Sequence, residues 1–299
     1  MRAELIKKID QSMRLLKSIP QTKGPIILAY SGGKDSDVCL ELCKMAGIPY
    51  RAVYHSTTID PAGTIKHVQE NGAEIIRPKK PFFALMRENG FPSRFARWCC
   101  RLLKEYYDAE IVVQGIRASE SKKRAERYRE PEQCRVYDKK HKSRIYMPIL
   151  YWTNEDIEEF IKDRNIKCHT LYYEEGTFDA TKRLGCIGCP LQSRKNRIRQ
   201  FKQNPKYVRL YIKNAQVWYD THAKNGKEYK HNNAINAFVA HLFFDSFADY
   251  ETATYTIYGK TDWKKYLENY FGIDLSDIGM AESCKQKPET PSTKITKSK

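Results

Sequence analysis

An apolar run that leads straight into a glycine loop constrains the fold of this chain most. Residues 25–30 read Pro-Ile-Ile-Leu-Ala-Tyr, a pattern typical of a buried parallel strand. The loop Ser31-Gly-Gly-Lys-Asp-Ser36 follows, and residues 37–46 then carry apolar side chains at helical spacing up to a C-terminal stop at Gly47. The local unit is therefore predicted to be strand, loop and helix, with backbone amides and a helix N-terminus facing one point.

Such a point binds anions, because free N–H groups and the helix dipole both favour negative charge. Gly32 and Gly33 allow close approach of the backbone to a phosphate, and Ser31 and Ser36 offer hydroxyl donors. The order of residues does not match the kinase-type phosphate loop, since Asp35 stands where that loop has Ser or Thr. From the loop alone, an ordinary tight turn between strand and helix stays open.

Further strands and helices alternate along the first half of the chain. Helical spacing predicts helices over residues 3–18, 64–70 and 153–164, the last with Thr153 as N-cap, and apolar runs predict strands over residues 50–54, 73–76, 111–116 and 145–149. This alternation predicts an α/β fold with a doubly wound parallel sheet. Residues 196–220 and 232–250 are predicted to be helical. The predicted organisation is an N-terminal helix (1–20), an α/β domain (21–192), a basic helical extension (193–284) and a disordered tail (285–299).

Composition and charge limit the cellular location and the binding partners that the sequence predicts. No apolar run approaches the roughly 18 residues of a membrane helix, and no secretory signal is recognised, so a cytoplasmic protein is predicted. The net charge is +17, and most of the excess falls in residues 117–147 and 190–230. These stretches suit phosphates or nucleic acid, or form a solvated face. In the second, cations alternate with aromatic residues that either stack on bases or face a core: Phe201, Tyr207, Tyr211, Trp218 and Tyr219.

Cysteine usage indicates metal or thiol chemistry. A chain with nine cysteines and no secretory signal is a poor candidate for a disulfide framework. Cys99 and Cys100 are adjacent, and Cys186 and Cys189 form a C-x-x-C. Four thiolates suit zinc or an iron–sulfur cluster, and two adjacent ligands fit the larger cluster better than one small zinc ion. Buried reduced thiols are the remaining alternative.

The Ser31–Ser36 loop and five later motifs, taken in order, resemble one family. The Ser31–Ser36 loop resembles the pyrophosphatase loop (PP-loop) of the adenine nucleotide alpha-hydrolase fold, a HUP-type, Rossmann-like fold. The later motifs follow the order found in phosphoadenosine phosphosulfate (PAPS) reductase family proteins: Thr57-Thr-Ile-Asp-Pro61, Arg97-Trp-Cys-Cys-x-x-Leu-Lys104, Gly115-Ile-Arg-x-x-Glu-Ser121, Pro148-Ile-x-x-Trp-Thr-x-Glu-Asp156 and Gly185-Cys-Ile-Gly-Cys-Pro190. The resemblance runs from about Pro25 to Trp218.

The resemblance implies roles for individual residues. It identifies the nucleotide-binding residues as Ser31, Gly32, Gly33, Lys34, Asp35 and Ser36. It identifies Asp35, Lys104 and Arg117 as catalytic residues, with Arg117 also pairing with phosphate or sulfate, and Asp60 as a ligand of Mg²⁺ or a ribose hydroxyl. Similarity to adenylylsulfate reductases implies a [4Fe–4S] cluster on Cys99, Cys100, Cys186 and Cys189. Purely structural roles are the alternatives for two of these residues. Lys104 would then lie on a solvated helix, and Asp60 would form a turn with Pro61.

The chain departs from sulfonucleotide reductases at two places. Those enzymes resemble one another in a C-terminal Glu-Cys-Gly-[Leu/Ile]-His, whereas this chain has Glu282-Ser-Cys-Lys285, which makes Cys284 a doubtful nucleophile. The intact double glycine of the PP-loop is closer to ATP-cleaving relatives. The function predicted from the resemblance is ATP-dependent adenylation, with Mg²⁺, followed by sulfur transfer from a donor to a nucleic-acid or small acceptor. The alternatives are a PAPS or adenylyl sulfate reductase served by a thiol reductant protein, and a non-catalytic binding module. Oligomeric state is not predicted.

Overall fold

The computed structural model describes residues 1–21, 24–104, 107–136, 142–224, 231, 233–257 and 259–278. The chain divides into two compact units. The first comprises Met1–Leu85 and Pro92–Ser193, and the second comprises Met86–Phe91 and the chain from Arg194 onward. The N-terminal helix belongs to the first unit. The predicted tail over residues 285–299 and Cys284 lie outside the described residues.

The first unit alternates helices and strands, as the sequence pattern predicts. Short 3-10 helices also form at Ala118–Glu120 and Thr170–Tyr172. The elements are α1 (Ala3–Lys17), β1 (Ile26–Ala29), α2 (Lys34–Ala46), β2 (Tyr50–His55), α3 (Thr64–Glu70), β3 (Glu74–Ile76), α4 (Phe82–Asn89, which runs into the second unit), α5 (Trp98–Leu103), β4 (Ile111–Gln114), α6 (Lys122–Arg127), β5 (Glu132–Val136), β6 (Lys142–Tyr146), α7 (Asn154–Asp163), β7 (Tyr173–Glu174) and β8 (Thr177–Phe178).

A six-stranded sheet of order β3-β2-β1-β4-β6-β5 forms the centre of the first unit. All neighbouring strands are parallel except β5, which pairs antiparallel with β6 at the edge. The chain winds outward from β1 in both directions, so β1 and β4 lie at the point where strand order reverses, the usual ligand site of such sheets. The α/β fold is confirmed. The sheet is mostly rather than wholly parallel, since β5 runs antiparallel to β6. The sequence did not predict β5 because this polar, half-exposed strand has no apolar run.

Local signals place the helices where the pattern predicts them. Helix α1 buries Leu5, Ile9 and Leu16 at helical spacing. Helix α2 ends at Gly47, whose φ of 64° is the left-handed conformation that favours glycine. Helix α7 begins with a reciprocal capping box between Thr153 and Asp156. Alternate β1 residues enter two apolar clusters, Leu28 in one and Ile27 in the other, so the sheet is covered on both faces.

The second unit is helical and has an aromatic core. Its elements beyond the end of α4 are α8 (Arg194–Gln203), α9 (Pro205–Lys224), α10 (Ala234–Phe243), α11 (Phe247–Thr254), β9 (Tyr255–Thr256), β10 (Gly259–Lys260) and α12 (Trp263–Phe271). The single helix predicted over residues 196–220 breaks at Asn204, because Pro205 occupies the first position of a new helix and has no N–H to continue the old one. The helix predicted over residues 232–250 likewise divides where Ser246 caps α11.

The aromatic residues of the basic segment serve partly as core. Phe201 packs edge to face against Tyr211 and Phe238, with ring centroids 5.4 and 5.3 Å away, and both Phe201 and Tyr211 are 3% exposed. Arg197 is also buried, and its guanidinium donates to the carbonyl of His241. These three side chains are therefore structural. None of the helices in the described ranges combines the length and the apolar character needed to cross a lipid bilayer.

Candidate functional site

The PP-loop is closed by hydrogen bonds among its own residues. Gly32 takes a positive φ of 71°, and Gly33 stands at the N-cap of α2. The Ser36 hydroxyl donates to the Gly33 carbonyl at 2.7 Å and accepts from the Ser31 amide at 3.2 Å. Ser36 is thereby used to fold the loop, and the first-turn amides of α2 form the kind of helix N-terminus that binds anions.

Glycine is required beside the loop as well as within it. A Cβ on Gly115, just after β4, would lie 2.8 Å from the Asp35 carbonyl oxygen and 3.3 Å from the Ser36 amide nitrogen. A Cβ on Gly33 would lie 3.1 Å from the Tyr172 hydroxyl. The end of β4 therefore packs directly against the start of α2. Gly115 in the third motif is explained by this close backbone approach.

Cations surround the loop in excess over nearby carboxylates. Lys34 is 4% exposed, and its ammonium lies 3.2 Å from the Asp35 carboxylate. Burial lowers the pKa of Lys34, Asp35 opposes that effect, and the charges of Arg117 and Arg183 lower it further. Burial and the charges of Arg183 and Arg117 also lower the pKa of Arg124, which forms an ion pair with Glu120. A cluster whose members repel one another is stabilised by an added anion.

Arg117 is buried and its guanidinium is held by protein acceptors. The residue is 2% exposed; Nε donates to Asp35 Oδ1 at 2.7 Å, Nη1 to Ser119 Oγ at 3.1 Å, and Nη2 to Asn154 Oδ1 at 2.9 Å. Arg117 thus fixes Asp35, and two of the three predicted catalytic residues form one pair. Contact of either residue with phosphate or sulfate stays a prediction.

Behind the loop lies a buried polar network that the sequence pattern does not reveal. Asp37 is 2% exposed; it accepts a short hydrogen bond from the Tyr30 hydroxyl, and its Oδ1 lies 3.1 Å from His67 Nε2. The ring of His169 meets His67 edge on at 5.8 Å between centroids, and burial and then the charge of His67 lower the pKa of His169. About a hundred residues separate the two histidines, so no spacing signal was available to find the pair.

Asp60 caps a tight turn at the end of β2. Its carboxylate accepts from the Thr57 amide at 2.8 Å and from the Thr57 hydroxyl at 2.7 Å. Thr58 has a φ of 64°, a conformation that is rare for a β-branched residue, and its hydroxyl accepts from the Phe82 amide at 2.9 Å. Asp60 therefore has a structural role in the turn. Binding of Mg²⁺ or ribose by Asp60 stays a prediction.

The four motif cysteines are electrostatic neighbours in the first unit. The C-x-x-C segment is joined to the turn by a hydrogen bond from the Ile187 amide to the Ile59 carbonyl, and Thr57 Oγ1 lies 3.4 Å from Cys186 Sγ. The pKa of Cys99 is raised by a hydrogen bond with Cys100, by burial, and by the other two thiols. We call the set Cys99, Cys100, Cys186 and Cys189 the cysteine group. All four are reduced cysteines.

Lys104 brings positive charge to the cysteine group. Burial lowers its pKa, but Cys186, Asp60 and Cys100 outweigh burial and hold the pKa above its usual value. Burial is also the main cause of the raised pKa of Cys189. The arrangement therefore places one ammonium near Cys186 and Cys100, and the same charge opposes the effect of burial on the pKa of Cys189.

The donor set fits a four-thiolate group in its chemistry. Across the described ranges, no three His, Cys, Asp or Glu side chains are close enough together to form a metal site as they stand. The cysteine group nevertheless supplies four reduced thiols, and the buried Nε1 of Trp98, the residue before Cys99 in the chain, has no acceptor within the described part of the chain. A buried N–H without an acceptor is a group that a bound ligand can satisfy.

Three comparisons with known proteins give the relatives of this chain. It is 33% identical over 184 residues to an uncharacterized protein of Methanocaldococcus jannaschii, and 34% identical over 140 residues to an uncharacterized 37.8 kDa protein of Escherichia phage 186. The matches cover 56% and 42% of this chain but 36% and 39% of those proteins. The chain thus spans well under half the length of the curated relatives that it matches.

A solved structure, the PAPS reductase of Candida auris in a phosphate complex, is similar at a TM-score of 0.43 and 13% identity, covering 62% of this chain and 96% of that one. The family model of the phosphoadenosine phosphosulfate reductase domain matches residues 25–192, which hold the PP-loop, the cysteine group and all six strands of the sheet. The chain belongs to the phosphoadenosine phosphosulfate reductase domain family.

Proposed function

We propose that this chain is an iron–sulfur enzyme that binds ATP at the PP-loop, adenylates an oxygen of an acceptor, and passes sulfur from a donor to that acceptor. The observation that carries the proposal is the unbalanced positive charge around the loop. Lys34, Arg117, Arg124 and Arg183 are electrostatic neighbours, and Asp35 and Glu120 are their carboxylate partners. A polyphosphate supplies the missing negative charge.

The loop geometry favours a pyrophosphate group over a single small anion. Gly32 takes a positive φ of 71° that favours glycine, a Cβ on Gly33 would lie 3.1 Å from the Tyr172 hydroxyl, and the start of α2 adds its amides and dipole. Lys34 and the arginines provide charge on the side chains. Asp35, held by Arg117 at 2.7 Å, provides a carboxylate beside the phosphates that is suited to share Mg²⁺ with them.

The proposed chemistry has two balanced steps. The acceptor oxygen attacks the α-phosphorus, the bond between the α-phosphorus and the bridging oxygen breaks, and pyrophosphate leaves with the negative charge that the loop cations neutralise. A sulfur donor at the sulfide level then attacks the acceptor carbon, the carbon–oxygen bond breaks, and AMP leaves. Preorganised positive charge at the leaving group lowers the barrier of the first step, because negative charge increases there in the transition state.

The cysteine group would hold the iron–sulfur cluster. Cys99, Cys100, Cys186 and Cys189 supply the thiolates, and Lys104 offsets part of their charge. When bound, a cluster supplies redox chemistry or a site for sulfur. Thr57 contacts both Asp60 and Cys186, so the turn at the end of β2 links the group to the sheet.

An anaerobic assay with ATP, adenylyl sulfate and PAPS tests the reaction. We expect pyrophosphate and AMP from ATP in the presence of acceptor, and no sulfite from either sulfonucleotide. Gly33→Val should abolish nucleotide binding in calorimetry, because a Cβ at this position would lie 3.1 Å from the Tyr172 hydroxyl and the larger side chain would displace the loop. Gly24→Val is the matched control, since a Cβ at Gly24 meets nothing within 4 Å. Sulfite release from PAPS without ATP cleavage would identify a reductase instead.

Iron analysis tests the cysteine group. Anaerobically purified protein should be brown and hold about four irons per chain. Cys186→Ser should remove the colour and most of the iron, whereas Cys134→Ser, at an exposed free cysteine, should keep both. Stoichiometric zinc in place of iron in the unsubstituted protein would contradict the cluster.

A further inference from the structure

Phe95 is an aromatic side chain held in full contact with solvent. It is 101% exposed, the largest value among the exposed large apolar residues of the described chain. The turn that carries it is closed by Ser93. The Ser93 hydroxyl accepts from the amides of Phe95 at 3.2 Å and Ala96 at 2.9 Å, and the Ser93 amide donates to the Ala96 carbonyl at 3.2 Å. We call residues 93–97 the Phe95 turn. Three hydrogen bonds of Ser93 therefore define the shape of this turn.

The Phe95 turn is attached to both halves of the cysteine group. Arg94 Nε donates to the carbonyl of Pro190, the residue after Cys189, at 3.0 Å. At the other end, the Arg97 carbonyl accepts from the amide of Cys100 at 3.1 Å. A molecule that binds the turn is therefore brought to the four thiols.

The chain segment between Glu88 and Glu105, which carries the exposed ring, is basic. Residues 89–104 contain four cations and no carboxylate: Arg94, Arg97, Arg101 and Lys104. Arg97 and Arg101 are exposed, and Lys104 faces the cysteine group. An exposed aromatic face between arginines matches the chemistry of a nucleic-acid single strand, whose unstacked bases stack on aromatic rings while its phosphates pair with cations.

We propose that the Phe95 turn docks a single-stranded segment of nucleic acid as the acceptor, with one unpaired base stacked on Phe95 and the flanking phosphates at Arg97 and Arg101. This assignment rests on the proposed function and names the class of its acceptor. A duplex fits less well, because its bases are already stacked on each other and offer no free face to the ring.

Fluorescence anisotropy of the full-length protein, purified anaerobically, tests the proposal. The probes are one labelled 12-nucleotide single strand of DNA, its RNA equivalent, and the DNA duplex, each titrated at several salt concentrations. Phe95→Ala should weaken binding of one or both single strands about 5- to 100-fold and leave duplex binding nearly unchanged. Phe95→Trp should keep the affinity. Arg97→Ala and Arg101→Ala should each make the salt dependence of single-strand binding shallower by somewhat under one unit.

Tyr255→Ala is the matched control, since Tyr255 is a 64% exposed aromatic with Lys260 over its ring in the second unit. Equal losses for Phe95→Ala and Tyr255→Ala, or none for Phe95→Ala, would overturn the assignment. Absence of single-strand binding at low salt would overturn it as well. Anisotropy measures binding and does not depend on turnover. If the protein cleaves ATP but Phe95→Ala binds single strands as well as the unsubstituted protein does, only the docking assignment is wrong. Phe95-dependent binding in a protein that never cleaves ATP removes only the proposed reaction.

Discussion

Single residues at the PP-loop differ sharply in how much freedom the structure leaves them. Gly24 has open space around it, whereas Gly115 stands against the backbone of Asp35 and Ser36. Both are glycines at the boundaries of predicted strands, and only the approach of β4 to α2 distinguishes them. A substitution at each position therefore measures how tightly the start of α2 is held.

Gly115→Ala should destabilise the first unit by about 1–3 kcal/mol, because its methyl group would lie 2.8 Å from a carbonyl oxygen that belongs to backbone and cannot turn away. Urea denaturation followed by circular dichroism measures the change. The same substitution at Gly24 should be nearly neutral. A smaller loss at Gly115 than at Gly24 would show that the two backbones are not in contact.

Arg117 is a residue whose partners in the structure differ from the partner that the sequence predicts. The sequence marks it as a phosphate ligand, and the structure gives its guanidinium acceptors on Asp35, Ser119 and Asn154. A buried arginine with a carboxylate and two polar partners acts first on the position of Asp35. The role of Arg117 in the proposed reaction is then to hold that carboxylate in place beside the phosphates.

Among the elements, α1 and α7 are joined through one buried carboxylate. Asp156 has a 1% exposed side chain and accepts from Lys8 Nζ at 2.6 Å and Arg2 Nη2 at 2.8 Å. Burial alone would raise its pKa, but the hydrogen bonds from Lys8 and the Thr153 amide and the charges of Lys8 and Arg2 outweigh burial, so the pKa lies below the usual value. The N-terminal helix is thus held to the sheet domain by charge as well as by apolar packing.

Asp156→Asn should lower the free energy of unfolding by about 2 kcal/mol at pH 7, since it removes two charged hydrogen bonds. The folded pKa lies below the unfolded value of about 3.9, so this stabilisation is complete above that pH and is lost as the pH falls through the folded pKa. The difference between variant and unsubstituted protein should therefore shrink in urea titrations as the pH falls below the unfolded value and through the folded pKa. Asp163→Asn, at the exposed end of α7, should show no such difference. If the difference in unfolding free energy between the two proteins does not change with pH, the ion pairs of Asp156 with Lys8 and Arg2 do not stabilise the fold.

At the scale of the whole molecule, the positive charge belongs to surfaces and the aromatic content largely to cores. Helices α8 and α9 expose Lys195, Arg199, Lys206 and Lys213, while Phe201 of α8 and Tyr211 of α9 are buried. Tyr207, Trp218 and Tyr219 are half-buried. The basic face of the second unit therefore has the charge to attract phosphates along a strand and fewer rings for stacking than the residue pattern suggests.

Reversing Lys195, Arg199 and Lys206 to Glu should weaken nucleic-acid binding and flatten its dependence on the logarithm of salt concentration by about two units. Arg197 is left in place because it is buried in the unit. The control reverses Lys7, Arg14 and Lys17 on the exposed face of α1, which gives the same net charge. Equal effects of the two triple variants in anisotropy titrations would show that net charge alone, and no particular face, governs binding.

The sequence by itself determined the elements and the loop. Strands β1 to β4, helices α1, α2, α3 and α7, and the loop of residues 31–36 between β1 and α2 follow from apolar periodicity, a capping box and a glycine stop, which act over a few residues. The same reasoning predicted one helix over residues 196–220, whereas the structure has two helices that meet at Asn204. Apolar residues keep their helical spacing across this point, but Pro205 begins a new helix. It also missed β5, whose polar residues become a strand only because β6 offers an edge to pair with.

Only the tertiary structure decided which distant residues meet. Asp35 forms an ion pair with Arg117, His67 packs against His169, and the C-x-x-C segment hydrogen-bonds to the turn that contains Asp60. The sheet order brings the ends of β1, β2 and β4 to one edge, which makes such contacts possible. Local pattern carries no information about such pairs, since their separation in the chain is set by crossover lengths and not by helix or strand periods. Whether an aromatic residue stacks on a ligand or fills a core is likewise decided by what packs beside it, as Phe95 and Phe201 show.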